Sequence, residues 1–159
     1  MLDMTKPESG QPVLLSIIGT QKDDSGEENK IELITEGQVY ASDDVSYITY
    51  EENLSVDASI NDMASVILTV TADKMTLTRS GGVEQIQEFI LGKLCVSNYT
   101  TSEGVFSMGV FTNSFKLERS IDSGVLKNID LEYQLEIDGQ WQSSNTWSVV
   151  IKEENKVGH

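Results

Sequence analysis

The stretch ASVILTVTADKMTLTRSGGVEQIQEFILGKLCVSNYTT, residues 64–101, alternates apolar and polar side chains almost without interruption. The alternation falls into runs at residues 65–72, 75–80, 83–91 and 94–101. A period of two is typical of β-strands, whose successive side chains point to opposite faces of a sheet. Only the turn residues Asp73-Lys74, Gly81-Gly82 and Gly92-Lys93 separate the runs, and links this short join antiparallel neighbours. The stretch therefore predicts an antiparallel meander.

The same pattern continues on both sides of this stretch. Further strands are predicted at residues 13–21, 31–39, 45–52, 104–112, 115–121, 126–137 and 141–152. Residues 53–63 fit neither a strand nor a helix period and are predicted to be irregular. Strands joined mainly by tight turns satisfy their backbone hydrogen bonds most simply if the first and last strands pair. We therefore expect an all-β fold, an antiparallel up-and-down β-barrel of about 8 to 10 strands. A two-sheet β-sandwich is the alternative, with residues 53–63 as the only segment that could form a long crossover.

Gly37 interrupts the second predicted strand, in which Ile31, Leu33 and Val39 share one face. An isolated glycine in an alternating strand often marks a bulge or a sharp bend. We expect the chain to bend at Gly37, in the way that curls a sheet toward closure.

Length and composition limit the classes of function. The 159 residues suit one domain, which we place at residues 12–152 between flexible tails at 1–11 and 153–159. The 26 acidic residues outnumber the 11 lysines and arginines, so the net charge is −15, which argues against nucleic acid and membrane surfaces as partners. One cysteine and one histidine, His159, exclude an intrachain disulfide and a histidine-based metal site or triad, and no cofactor is expected. Without a recognisable signal peptide or a long apolar run, the expected location is the cytoplasm.

Arg79 is the least expected residue of the pattern. It lies in phase with Met75 and Leu77, which places a guanidinium on the apolar face of its strand. A charge inside a barrel must be paired or hydrogen-bonded, and Glu52, on the same face as Tyr50, is the predicted partner. The pair is either a brace within the barrel or part of a cavity in which Arg79 receives a ligand carboxylate.

Large aromatic side chains are available to line such a cavity. We assign Tyr50, Phe89, Tyr99 and Tyr133 to the wall, and Glu52 and Arg79 to the interior or the mouth. A barrel of about eight strands either is filled by side chains or holds one small ligand, and both outcomes fit this sequence.

No catalytic residue is assigned. Adjacent acidic residues such as Glu51-Glu52 point to opposite faces of a strand and cannot share a site. The chain contains no calcium-loop motif, and Ser80-Gly81-Gly82 is a hairpin turn rather than a phosphate loop before a helix. Cys95 has no histidine to activate it and is interpreted as an inert thiol. We therefore do not expect an enzyme.

Several short motifs in order along the chain carry a family resemblance. They are Thr35-Glu36-Gly37, Tyr47-Ile48-Thr49-Tyr50-Glu51-Glu52, Arg79-Ser80-Gly81, Phe89-Ile90-Leu91-Gly92, Tyr99-Thr100-Thr101-Ser102-Glu103-Gly104, and Tyr133-Gln134-Leu135 with Asn145. Over about residues 12–152 the sequence resembles the YwiB-like family of uncharacterised bacterial proteins, mostly from Firmicutes. The resemblance implies a lipocalin-like, calycin-type β-barrel in the bacterial cytoplasm and implies no biochemical role. The sequence departs from the family at Ser102, where proline is usual, and at residues 53–68, which lack the usual Gly-Met and Thr-rich run.

These observations lead to two functional hypotheses. The first is a non-enzymatic cytoplasmic β-barrel that binds a small apolar or amphipathic ligand in its interior. The second is a structural or protein-interaction module, in which a solid barrel forms a homodimer or binds a protein partner through an outer face or an edge strand.

Overall fold

A computed structural model describes residues 10–53 and 63–153 of the chain. All regular structure in these ranges is β, in ten strands. The strands are β1 (Gln11–Lys22), β2 (Glu28–Ser42), β3 (Val45–Asn53), β4 (Met63–Val70), β5 (Lys74–Gly81), β6 (Gln85–Ile90), β7 (Leu94–Thr101), β8 (Gly104–Arg119), β9 (Leu126–Ile137) and β10 (Gln140–Glu153). The described residues include no helix that is long and apolar enough to cross a membrane.

The strands form one antiparallel sheet in the order β6-β5-β4-β3-β2-β1-β10-β9-β8-β7. β1 pairs with β10 along ten residue positions, from Val13–Glu153 to Lys22–Ser144, so the first and last strands close the barrel as predicted. The predicted up-and-down barrel is confirmed, and the sandwich is excluded. Closure is incomplete between β6 and β7, which are consecutive in sequence yet form the two edges of the sheet. We call this gap between β6 and β7 the seam.

One predicted strand boundary is wrong. Residues 104–112 and 115–121 were expected to form separate strands, but β8 runs through both as far as Arg119. The register against β9 shifts between Thr112 and Ser114, so Asn113 lies at a β-bulge that lets the strand bend without ending. β1 begins at Gln11 and β10 ends at Glu153, and the remainder of the predicted tails and the predicted irregular segment (54–62) lie outside the described residues.

Gly37 lies where β2 leaves β3. The two strands pair only from Ser42–Val45 to Gln38–Thr49, while β2 continues to pair with β1 along its whole length. A Cβ atom on Gly37 would lie 2.5 Å from the carbonyl oxygen of Thr49, so only glycine permits this close approach. The result is an opening in the barrel wall between the first half of β2 and the end of β3.

The middle of the barrel is filled with apolar side chains. Those of Leu15, Ile48, Leu68, Ile129 and Leu131 are almost completely shielded from solvent. Free space remains at the two ends. The upper mouth is the end that carries the β1–β2 and β9–β10 turns, and the lower mouth is the end that carries the β2–β3 and β8–β9 turns.

Candidate functional site

The upper mouth contains a cavity of about 250 Å³. Its wall comes from both sides of the opening that Gly37 creates: β1 and β2 on one side, β3 and β5 on the other, with β9 and β10 behind. Its lining includes the apolar, aromatic and charged side chains of Ile17, Leu33, Tyr50, Glu52, Arg79, Tyr133 and Trp147.

Arg79 is fixed by two neighbours in this cavity. Strand register places it opposite Val66 on β4 and opposite Gln85 on β6, on the inward face. Its Nε donates to Oε2 of Glu52 at 2.7 Å and its Nη1 donates to Oε1 of Gln85 at 2.9 Å. The predicted ion pair with Glu52 is therefore confirmed. The two side chains are only 23% and 19% exposed, so water screens the pair weakly.

Burial and pairing act in opposite directions on Arg79. Burial disfavours the charged guanidinium, but the hydrogen bond from Arg79 to Glu52 and the charge of Glu52 outweigh it and raise the pKa of Arg79 above its usual range. Three of the five guanidinium N–H bonds have no acceptor within residues 10–53 and 63–153. The arginine is therefore a fixed cation with donors to spare.

Two tyrosines add further donors to the same cavity. Burial, followed by the charge of Glu52, raises the pKa of Tyr50, and burial raises the pKa of Tyr133. Both phenols therefore keep their protons well above neutral pH. Among the described residues that line the cavity, Glu52 is the only carboxylate, and it is already bound to Arg79. Arg79 and the two phenols thus offer donors to the cavity, beside the amides of Gln21, Asn29 and Asn145, which both donate and accept.

The structure brings most of the predicted site residues together. Tyr50, Glu52, Arg79 and Tyr133 line the cavity. Phe89 is buried behind Tyr133, with ring centroids 5.3 Å apart and an edge-to-face angle of 71°. Tyr99 does not line the cavity, but it lies near enough to Arg79 to contribute to its raised pKa.

Sequence reasoning missed Trp147, which lines the cavity from β10. The alternation of β10 could have predicted the inward position of Trp147, because this residue lies in phase with the buried Val149 and Ile151. Gly19 was also missed. A Cβ atom at Gly19 would meet the Trp147 ring at an ordinary 3.6 Å, so the absence of a side chain there leaves room in the cavity.

A chain of buried polar groups leads from Arg79 to the seam. Gln85 donates through Nε2 to Oγ of Ser97 at 3.2 Å, and Ser97 donates to Oε1 of Gln87 at 2.7 Å. Nε2 of Gln87 then reaches the backbone carbonyl of Cys95 at 3.0 Å. Gln85 and Gln87 are only 5% and 2% exposed. The sequence could have predicted this chain of polar groups, because Gln85 and Gln87 lie in phase with Phe89 and therefore share its inward face.

The comparisons with known proteins agree with this architecture. A family model described as "Domain of unknown function (DUF1934)" matches residues 15–149. The crystal structure of the ywiB protein from Bacillus subtilis superimposes with a TM-score of 0.74 at 19% sequence identity, covering 92% of this chain and 94% of that chain. No curated protein matches the sequence. The chain therefore belongs to the DUF1934 family and shares the barrel fold of the YwiB structure.

Proposed function

We propose that this protein is a cytoplasmic, non-enzymatic binding protein that holds a small amphipathic ligand in the upper mouth of its barrel. The observation that carries the proposal is the fixed guanidinium of Arg79, which borders a cavity and has N–H bonds without acceptors among the described residues.

The chemistry of the wall supports this class of ligand. Donors from Arg79, Tyr50 and Tyr133 favour a polar end that accepts hydrogen bonds, such as a carboxylate or another planar oxyanion. Ile17 and Leu33 offer an apolar surface to the remainder of the molecule. A cavity of about 250 Å³ is below the usual range for drug-sized ligands, which favours a small molecule.

The same wall supports binding rather than catalysis. General acid–base chemistry at neutral pH needs a group that exchanges protons in that range. The described lining contains no histidine or cysteine, and its tyrosines hold their protons. Glu52 is engaged by Arg79 at 2.7 Å.

A fluorescence titration tests the proposal. In a Trp141→Phe variant, Trp147 is the only tryptophan, and 4-nitrobenzoate, a small planar carboxylate whose nitro group quenches tryptophan emission, serves as the probe. We expect saturable quenching of Trp147 emission, and we expect Arg79→Gln to weaken it at least about tenfold through loss of a charge-assisted hydrogen bond. Lys30→Gln removes the same charge from an exposed position on β2 and should leave the titration unchanged.

A second variant keeps the test decisive if Arg79→Gln fails to fold. Gly19→Leu places a side chain in the cavity without removing a charge and should also abolish quenching. Equal affinity in the parent, Arg79→Gln and Gly19→Leu proteins would overturn the proposal.

The surface around the seam favours a second candidate function, an interaction module that pairs two copies of the chain. Ile86, Leu94 and Val96 are large apolar side chains exposed on the outside of the two edge strands. β7 carries no charged residue, so two acidic molecules would approach there with little local repulsion. Sedimentation over a range of concentrations should then show a dimer that Val96→Lys abolishes, and a monomer throughout would remove this candidate.

A further inference from the structure

The lower mouth contains a cavity of about 660 Å³ that shares no lining residue with the upper one. Buried aliphatic side chains from four strands converge beneath it: Val13, Val39, Leu126 and Ile151. This apolar floor connects the β2–β3 side of the mouth with the β8–β9 side.

Ser46 is a buried polar group in the wall of this cavity. It lies on the inward face of β3, opposite Ala41 on β2 and Val70 on β4. The residue is only 5% exposed, and its hydroxyl is not among the fully buried side-chain atoms that lack a partner, so it reaches the space of the cavity that it lines. An occupant that hydrogen-bonds to this hydroxyl replaces water there, and such an exchange contributes a net of about 0.5 to 1.5 kcal/mol.

Arg119 provides the second polar group, from the opposite side of the mouth. Its nearest hydrogen-bond acceptor is the carbonyl oxygen of Gly124, at a long 3.4 Å. No carboxylate of the described residues lies within ion-pair distance of it, although the chain carries 26 acidic residues.

Asp43 and Glu153 also border the cavity, and their charges oppose an anion near them. Lys127, beside the β8–β9 turn like Arg119, and Lys152 are the other charged residues of the described lining, so the cations on the β8–β9 side favour placing an anion there.

The geometry points to a second binding site in the lower mouth, for an aliphatic carboxylate that carries a hydroxyl or keto group away from its carboxylate. The carboxylate lies at Arg119, the aliphatic body covers the floor, and the far polar group bonds to Ser46. This site does not rest on the function proposed for the upper mouth, because the two cavities use different residues.

The test is an NMR titration of the isotope-labelled full chain with three matched compounds. ω-Hydroxyoctanoate has both polar ends, octanoate lacks the hydroxyl, and the corresponding octanediol lacks the carboxylate. We expect shifts of amide signals at the lower mouth, with ω-hydroxyoctanoate binding at least about fivefold more tightly than either comparator, as one net hydrogen bond allows.

Variants assign each preference to its residue. Ser46→Ala should remove the preference over octanoate, and Arg119→Gln should remove the preference over the diol. Lys93→Gln removes the same charge at the same end of the barrel, outside the lining, and should preserve both preferences. Because each result is a ratio measured within one folded variant, it does not depend on stability.

Equal binding of all three compounds, or preferences that survive in Ser46→Ala and Arg119→Gln, would overturn the inference. So would an absence of lower-mouth shifts at millimolar concentrations. The fluorescence titration of Trp147 reports only on the upper mouth. Its failure would therefore leave the inference about the lower mouth intact, and the two proposals can be disproved independently.

Discussion

Arg79 shows how a charged residue is accommodated on an inward face. A guanidinium removed from water loses hydration that only close partners can replace. Glu52 supplies the opposite charge at 2.7 Å, and Gln85 supplies a neutral acceptor at 2.9 Å. The alternation in β3 and β5 places both charges on one face, which is why their pairing could be predicted from phase alone.

Removing one member of this pair should leave the other as an unpaired, mostly buried charge. We expect Arg79→Gln or Glu52→Gln alone to lower the free energy of unfolding by about 2 to 3 kcal/mol, somewhat less than for a fully buried pair. The double variant should lose less unfolding free energy than the two single variants lose together, and the difference, the coupling energy, should be at least about 1 kcal/mol. Urea unfolding of the four proteins measures this cycle, and strictly additive losses would contradict a direct interaction.

The buried phenol of Tyr50 should make stability fall at high pH. Its pKa is raised above the ordinary value of 10.0 in the folded protein, first by burial and then by the charge of Glu52. Above pH 10 the unfolded chain releases this proton and the folded protein retains it, so rising pH favours unfolding. Between roughly pH 10 and 12, wild type should lose about 1.4 kcal/mol per pH unit more than Tyr50→Phe. Parallel pH profiles of unfolding free energy would contradict this expectation.

At the scale of the strands, the seam is held by side chains where a backbone ladder would be expected. Among the described residues, the only backbone hydrogen bonds across the seam join Glu84, just before β6, to Thr100 on β7, with N···O distances of 2.9 and 3.0 Å. Because these two residues exchange both bonds, Ile86 and Glu88 direct their backbone groups toward the gap. Gln87 crosses the gap instead, reaching the carbonyl oxygen of Cys95.

Gln87→Ala should loosen the seam. The change leaves the Cys95 carbonyl and the Ser97 hydroxyl short of a partner, which we expect to lower the unfolding free energy by about 1 to 3 kcal/mol. Amide hydrogen exchange in β6 and β7 should accelerate more than elsewhere. Glu88→Ala is the matched control, since its surface contact with Lys74 is worth less than about 1 kcal/mol. Equal exchange rates in the two variants would contradict a structural role for Gln87.

The local sequence pattern predicted most of the strands, but it predicted neither the continuity of β8 nor the gap between β6 and β7. The alternation located the strands and the antiparallel order, and Gly37 marked the bend in β2. The pattern predicts a break near Asn113 because a bulge disturbs the alternation just as a turn does. The open seam left no mark in the local pattern, because the distance between β6 and β7 depends on how the whole barrel closes.

At the scale of the whole molecule, the barrel is packed in the middle and open at its ends. The sequence predicted an inward arginine, a carboxylate partner and aromatic neighbours, and four of the six named side chains line one cavity. It did not predict the position of the cavity, which depends on β2 diverging from β3 beyond Gly37. It also passed over Ser46 and Arg119, since neither breaks the alternation of its strand in a way that signals free space.

Native mass spectrometry of the full chain isolated from cells, compared with the same sample after denaturation, shows directly whether the barrel holds a small molecule at Arg79. Wild type, Arg79→Gln and Lys30→Gln are isolated in parallel. We expect a small molecule of defined mass on wild type and Lys30→Gln, released on denaturation and absent from Arg79→Gln. A wild-type protein with no bound molecule, or an Arg79→Gln protein that retains the same one, would contradict the account.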